Sequence, residues 1–94
     1  MRRSAKVDAN QAEIVAALRK VGAHVQSLAV IGKGCPDLLV SHRNRWHLIE
    51  IKDPAKPPSK RALTEDQVEW HRRAQAPVRV VLSATDAILA LSED

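Results

Sequence analysis

Gly34-Cys35-Pro36-Asp37-Leu38-Leu39-Val40, then Ser41-His42-Arg43-Asn44-Arg45, then Trp46-His47-Leu48-Ile49-Glu50-Ile51-Lys52 is the stretch that decides how this 94-residue chain reads. Two apolar runs flank a short basic segment, the pattern of a strand, a turn over 41–45 and a second strand. Asp37 opens the first strand, and Glu50 and Lys52 lie near the end of the second. In an antiparallel hairpin the start of one strand faces the end of the other, which predicts Asp37 beside Glu50 and Lys52. Side chains alternate between the two faces of a strand, so Glu50 and Lys52 share one face while Ile49 and Ile51 share the other. Two carboxylates and an ammonium are thereby expected at one edge of a small sheet.

Upstream, Ala23 to Ile31 reads as a strand, and Gly32-Lys33-Gly34 as a loop that turns the chain into Pro36. The loop lacks the longer glycine pattern ending in Lys-Ser/Thr of a P-loop, and Lys33 is available for a backbone phosphate. Before it, Asp8 or Asn10 can cap a helix whose apolar positions Ile14, Val15, Leu18 and Val21 follow helical spacing. Gly22 stops that helix, and Glu13 sits on the flank of its apolar stripe, either as a solvated charge or leaning over the sheet edge. Residues 1–7 read as a loose basic arm, leaving 8–94 as one domain.

Downstream, Asp53 to Arg61 is a basic loop stiffened by three prolines, from which Lys56, Lys60 and Arg61 leave the Lys52 end of the hairpin. It serves equally as a solvated connector or a substrate-contacting loop. Thr64-Glu65-Asp66-Gln67 is a capping box, with Leu63 and Val68 placed as a hydrophobic staple. The helix it opens runs through Trp70, a core anchor more than a base-stacking platform, to about Gln75 before Pro77. Capping alone accounts for Gln67. Val78 to Leu82 is the last strand, and Ser83 caps a final helix, Thr85 to Leu91, with Ile88, Leu89 and Leu91 inward. The order α-β-β-β-α-β-α predicts a small α/β domain with a mixed sheet, the last two strands parallel through a right-handed crossover.

Composition narrows the function. The hydrophobic fraction is 45%, carried by aliphatic residues with only two aromatic ones, Trp46 and Trp70. A thin aliphatic core between helices and sheet follows. No apolar run approaches the roughly 20 residues of a membrane span. The single cysteine, Cys35, excludes an intramolecular disulfide and suits a cytoplasmic protein. Net charge is +4, but residues 1–61 carry twelve Lys/Arg against five Asp/Glu, and residues 62–94 three against six. The basic excess accompanies the hairpin, which points to a polyanionic partner, nucleic acid.

The hairpin residues suit metal-assisted phosphodiester hydrolysis. Hard carboxylate oxygens from Asp37 and Glu50 bind Mg²⁺ or Mn²⁺, and the Ile51 carbonyl can add a neutral ligand. Bound metal acidifies water, and Lys52 can orient that water or stabilise charge in the transition state. The bland alternative is a Glu50–Lys52 surface salt bridge with Asp37 capping a turn. The four histidines show no zinc spacing with Cys35, and neither Cys35 nor Ser41 has an evident base for nucleophilic catalysis.

The order Glu13, Gly34-Cys35-Pro36-Asp37-Leu38-Leu39-Val40, Glu50-Ile51-Lys52 and Gln67 resembles the VRR-NUC (virus-type replication-repair nuclease) branch of the PD-(D/E)XK superfamily, over roughly residues 8–91. The resemblance implies a restriction-endonuclease-like mixed β-sheet flanked by helices. It implies that Asp37 and Glu50, helped by Glu13 and the Ile51 carbonyl, hold Mg²⁺ or Mn²⁺, that Lys52 serves the hydrolytic water and that Gln67 steadies the site. It also implies a metal-dependent DNA endonuclease, with Lys33, Arg43, Arg45, Lys56, Lys60 and Arg61 as candidate nucleic-acid contacts. Free-standing members, often of phage origin and so at work in the host cytoplasm, resemble homodimeric nucleases of branched DNA such as four-way (Holliday) junctions. The rival readings are a flap- or single-strand-directed enzyme and a nucleic-acid-binding module that keeps the fold without hydrolysis.

Overall fold

Alternation along three strands decides how the sheet is covered. The computed structural model describes residues 8–92, so the basic arm expected over 1–7 lies outside the described residues. Helix α1 (Gln11–Lys20) leads into strands β1 (His24–Ser27), β2 (Leu38–His42) and β3 (Arg45–Ile51). A one-turn helix α2 (Pro58–Arg61), helix α3 (Glu65–Ala74), strand β4 (Arg79–Val81) and helix α4 (Ala84–Leu91) complete the chain. The strands lie in the order β1-β2-β3-β4, antiparallel except for the β3–β4 pair. The expected order is borne out, with α2 added inside the proline-rich segment, where Pro57 and Pro58 supply the fixed φ of a helix start.

Val25, Leu38, Val40, Ile49, Ile51 and Val81 point to one face, where Ile14, Leu18, Ala23, Ala87, Ala90 and Leu91 from α1, α4 and the chain between α1 and β1 close over them. This is the aliphatic layer that the composition predicts, and its stability comes from apolar area removed from water. Asn10, at the N-terminus of α1, donates through Nδ2 to the carbonyls of Lys52 (3.2 Å) and Leu82 (3.1 Å) instead of capping its own helix. It thereby ties α1 to the ends of β3 and β4.

Four local readings are corrected. The first strand ends at Ser27 instead of Ile31, because the Ser27 hydroxyl accepts from Ala29 N–H and Ile31 N–H turns back to the Leu28 carbonyl. Val30 and Ile31 are left exposed. The hairpin turn is two residues, not five: Arg43 (φ 49°) and Asn44 (φ 68°) both take the left-handed conformation of the tight turn that matches strand twist. In α4 the inward residues are Ala87, Ala90 and Leu91, while Ile88 and Leu89 face out. Small alanines let α4 lie close to the sheet, and that approach sets its rotation. Val21 ends α1 as its C-cap and is exposed, so only Ile14 and Leu18 of the expected stripe are fully buried.

Candidate active site

The β2–β3 register pairs Leu38 with Ile49, and one step further along the same ladder sets Asp37 opposite Glu50. Cross-strand partners share a face, so the two carboxyl groups meet on the side away from the aliphatic layer. Asp37 Oδ2 accepts from the Ile51 backbone N–H at 2.6 Å, which fixes that carboxylate at the strand edge. Glu50 is only 2% exposed and Lys52 7%, so the site is a buried polar cluster and not a surface ion pair.

Helix α3 supplies the roof. Its capping box is present as expected: Thr64 Oγ1 accepts from Gln67 N–H (3.2 Å) and Gln67 Oε1 accepts from Thr64 N–H (2.9 Å). The same Gln67 Oε1 accepts from Lys52 Nζ at 2.7 Å, and Gln67 Nε2 donates to Glu50 Oε2 at 3.2 Å. One side chain therefore caps a helix and clamps both Glu50 near the end of β3 and Lys52 just beyond it. Gly34 makes this approach possible. Its φ is +83°, and a Cβ there would collide with the Asp66 carbonyl of α3, so the loop before Asp37 and the start of α3 abut through bare backbone.

Burial, then the hydrogen bond and charge of Asp37, push the Glu50 carboxyl up to about 8, against the opposing pull of Lys52; Asp8 adds a further upward push. Two carboxylates this close share a proton or need a cation. Glu50 Oε1 is buried without a hydrogen-bond partner, and His71 Nε2, also without one, lies 3.9 Å away. Burial and the nearby Lys52 ammonium push the His71 imidazole toward its neutral form. An orphaned carboxylate oxygen beside a second carboxylate fits a hard divalent cation. Among the described residues, however, no three His, Cys, Asp or Glu converge into a ready-made ligand cluster. The protein donors that fit are thus Asp37 and Glu50, with water and substrate left to complete the set.

Other candidates fall elsewhere. Glu13 is exposed on α1 and takes no part in the hydrogen bonds that join Asp37, Glu50, Lys52 and Gln67, because burying Ile14, Leu18 and Gln11 turns it outward. Asp8 is the N-terminal acid whose charge reaches Glu50, and its side chain pairs with Lys56 Nζ at 2.9 Å. Lys33 and Lys60 are exposed, and Arg61 is half-buried. Arg43 and Arg45 sit at the turn end of the hairpin, away from the carboxylates. The Cys35 thiol is pushed up by burial and then by Glu50 and Asp37, which removes it further from nucleophilic use. His71 is one of the four histidines without zinc spacing in the sequence, yet it stands one helical turn after Gln67 and so shares its face. Nothing in the sequence marks Asp8 as a neighbour of Glu50.

Among the described residues no helix is long and apolar enough to cross a membrane. No protein-family model and no curated protein matches this chain. Among solved structures, one described as "VRR_NUC domain" superposes with a TM-score of 0.61 at 24% identity, covering 92% of this chain and 98% of that one. The chain has the fold of that domain: a restriction-endonuclease-like, PD-(D/E)XK-type mixed sheet flanked by helices.

Proposed function

We propose that this chain is a nuclease of the VRR-NUC family, hydrolysing phosphodiester bonds in DNA with Mg²⁺ or Mn²⁺. One observation carries the reading: Asp37, just past the end of the β2–β3 ladder, lies against Glu50, with the Lys52 ammonium held beside them by Gln67. Burying Glu50 beside a second carboxylate costs stability, and a metal-dependent hydrolase has a use for it.

Asp37 and Glu50 would hold the cation, with the Ile51 carbonyl available as a neutral ligand. When bound, it supplies acidified water and charge neutralisation at the phosphate. The Ile51 N–H keeps Asp37 oriented, and Gln67 Nε2 fixes the Glu50 carboxylate. Lys52, with one proton engaged by Gln67 Oε1, has others to direct at the attacking water or at a phosphate oxygen as charge develops there. The exposed Lys33, in the loop before Asp37, and Lys60, with half-buried Arg61, on α2 after Lys52, suit backbone phosphates. One site per chain cuts one strand, so a homodimer acting on branched DNA is the assembly we favour.

The test is a panel of labelled single-stranded, duplex, flap and four-way-junction DNAs incubated with Mn²⁺, Mg²⁺ or chelator. Cleavage is expected only with metal and strongest on branched substrates. Lys52→Ala should lower it by about two to three orders of magnitude while DNA affinity stays close to that of the parent. Full cleavage by Lys52→Ala protein, or salt-sensitive binding with no cleavage of any substrate by the parent, would overturn the proposal.

A further inference from the structure

At the opposite end of the hairpin from the carboxylates lies a second concave site. It encloses about 340 Å³ and is lined by Trp46, Arg43, Arg45, His24 and His42 together with small polar residues, with no acidic side chain among its walls. That volume lies in the range of small-molecule sites. Trp46 is one of only two aromatic residues in the chain and is 70% exposed, on β3 next to the hairpin turn. The left-handed Arg43-Asn44 turn fixes the rim from which Arg43 projects.

Register places this site relative to the chemistry. Trp46 pairs with Ser41, and Ser41 with His24, so the three form one cross-strand row. Trp46, Leu48, Glu50 and Lys52 alternate onto the same face of β3, the one away from the aliphatic core. Four residues of strand separate Trp46 from Glu50, roughly 14 Å. At the rise of about 3.4 Å per nucleotide of a stacked strand, that is at most about four nucleotides.

We propose that this cleft binds an unpaired nucleotide of the substrate, its base stacked on Trp46 and its phosphate met by Arg43 at the turn, within about four nucleotides of Glu50. An exposed indole in a cleft whose lining includes Arg43 and His24 and no carboxylate has the chemistry of a single-strand platform. A base inside a continuous duplex already has both faces stacked and cannot reach Trp46. The cleft therefore makes local unpairing, at a branch or a frayed end, the substrate feature that the protein reads. The inference rests on the nuclease reading for the register of the strand, but its test does not need cleavage.

In chelator, Trp70→Phe protein, whose sole indole is Trp46, is titrated with a duplex and with the same duplex carrying a short unpaired tail. Tailed DNA should quench the Trp46 fluorescence and the plain duplex should not. Trp46→Ala and Trp46→Leu should bind tailed DNA about 5- to 150-fold more weakly, with duplex affinity unchanged. Trp46 is exposed, so circular dichroism of both variants should match the parent. Equal quenching by both DNAs, or undiminished affinity of the variants for the tailed form, overturns the platform while leaving the nuclease reading intact. No DNA binding by any form of the protein overturns both.

Discussion

Strand β3 buries two sets of neighbours equally well and to opposite ends. Ile49 and Ile51 have no exposed surface, and Glu50 and Lys52 have almost none, yet one pair faces an aliphatic layer and the other a cluster of charges. Removing apolar area from water stabilises the fold, whereas withdrawing carboxylates and an ammonium from water costs free energy that hydrogen bonds only partly return. The difference teaches that burial by itself does not mark what holds a domain together. Glu50 and Lys52 are held at a cost to stability, and Ile49 and Ile51 offset it.

The sharpest way to break this comparison is to truncate one residue from each set. Ile49→Ala should destabilise the domain by about 2–5 kcal/mol, the loss expected for a large aliphatic side chain in a packed interior. In urea titrations it should lower the midpoint without changing the slope. Glu50→Gln, nearly isosteric, removes a desolvated carboxyl and should leave the domain as stable as the parent or more so at pH 8, while abolishing metal-dependent cleavage. If Glu50→Gln loses as much stability as Ile49→Ala, the polar face is structural and the division fails.

A smaller effect follows from protonation. The Glu50 carboxyl lies at about 8 in the folded protein against an ordinary value of 4.5, raised by burial and by Asp37. Between those values the folded state holds a proton that the unfolded chain has released, so stability falls as pH rises from about 4.5 to 8 and levels off above. The loss amounts to a few kcal/mol, on the order of 10–20 °C in melting temperature for a domain of this size. Metal-free thermal melts across this range should show the decline, and Glu50→Gln should remove it. Mn²⁺, which binds the folded parent, should restore stability at pH 8 in the parent and not in the variant. A flat parent profile would mean that Glu50 does not hold the extra proton.

How much of this was legible beforehand depends on which force decides each residue. The period-2 pattern of residues 37–52 specified the hairpin register, because a one-residue slip would have exchanged Ile49 and Glu50 between faces. The Thr64–Gln67 box was legible because capping is a local bond pattern. Local pattern failed where tertiary packing chose the rotation. Ile88 and Leu89 look like core residues, yet the sheet admits the smaller Ala87 and Ala90. Val30 and Ile31 have strand propensity but no partner strand opposite them, since the β1–β2 ladder ends at Ser27 and Leu38. Asp8 and His71 reach Glu50 only through the docking of separate elements, which no short motif encodes.

The smallest expected effect divides a single motif. Thr64 and Gln67 cap α3 reciprocally, but only Gln67 also touches Lys52 and Glu50. Thr64→Ala should cost about 1 kcal/mol, the usual worth of an N-cap, and leave cleavage by the folded protein nearly unchanged. Gln67→Ala removes the other half of the same cap and should shift the melting temperature by a similar amount. It also frees the Lys52 ammonium and a carboxylate oxygen of Glu50, and loss of such an orienting partner costs about 10- to 100-fold in metal affinity or activity. Initial cleavage rates measured well below both melting temperatures separate the two contributions. If the variants lose activity in proportion to stability alone, Gln67 is a cap and nothing more. If Gln67→Ala falls far below Thr64→Ala at matched stability, the helix end is part of the site, because the side chain that ends its hydrogen-bond deficit also aims the lysine.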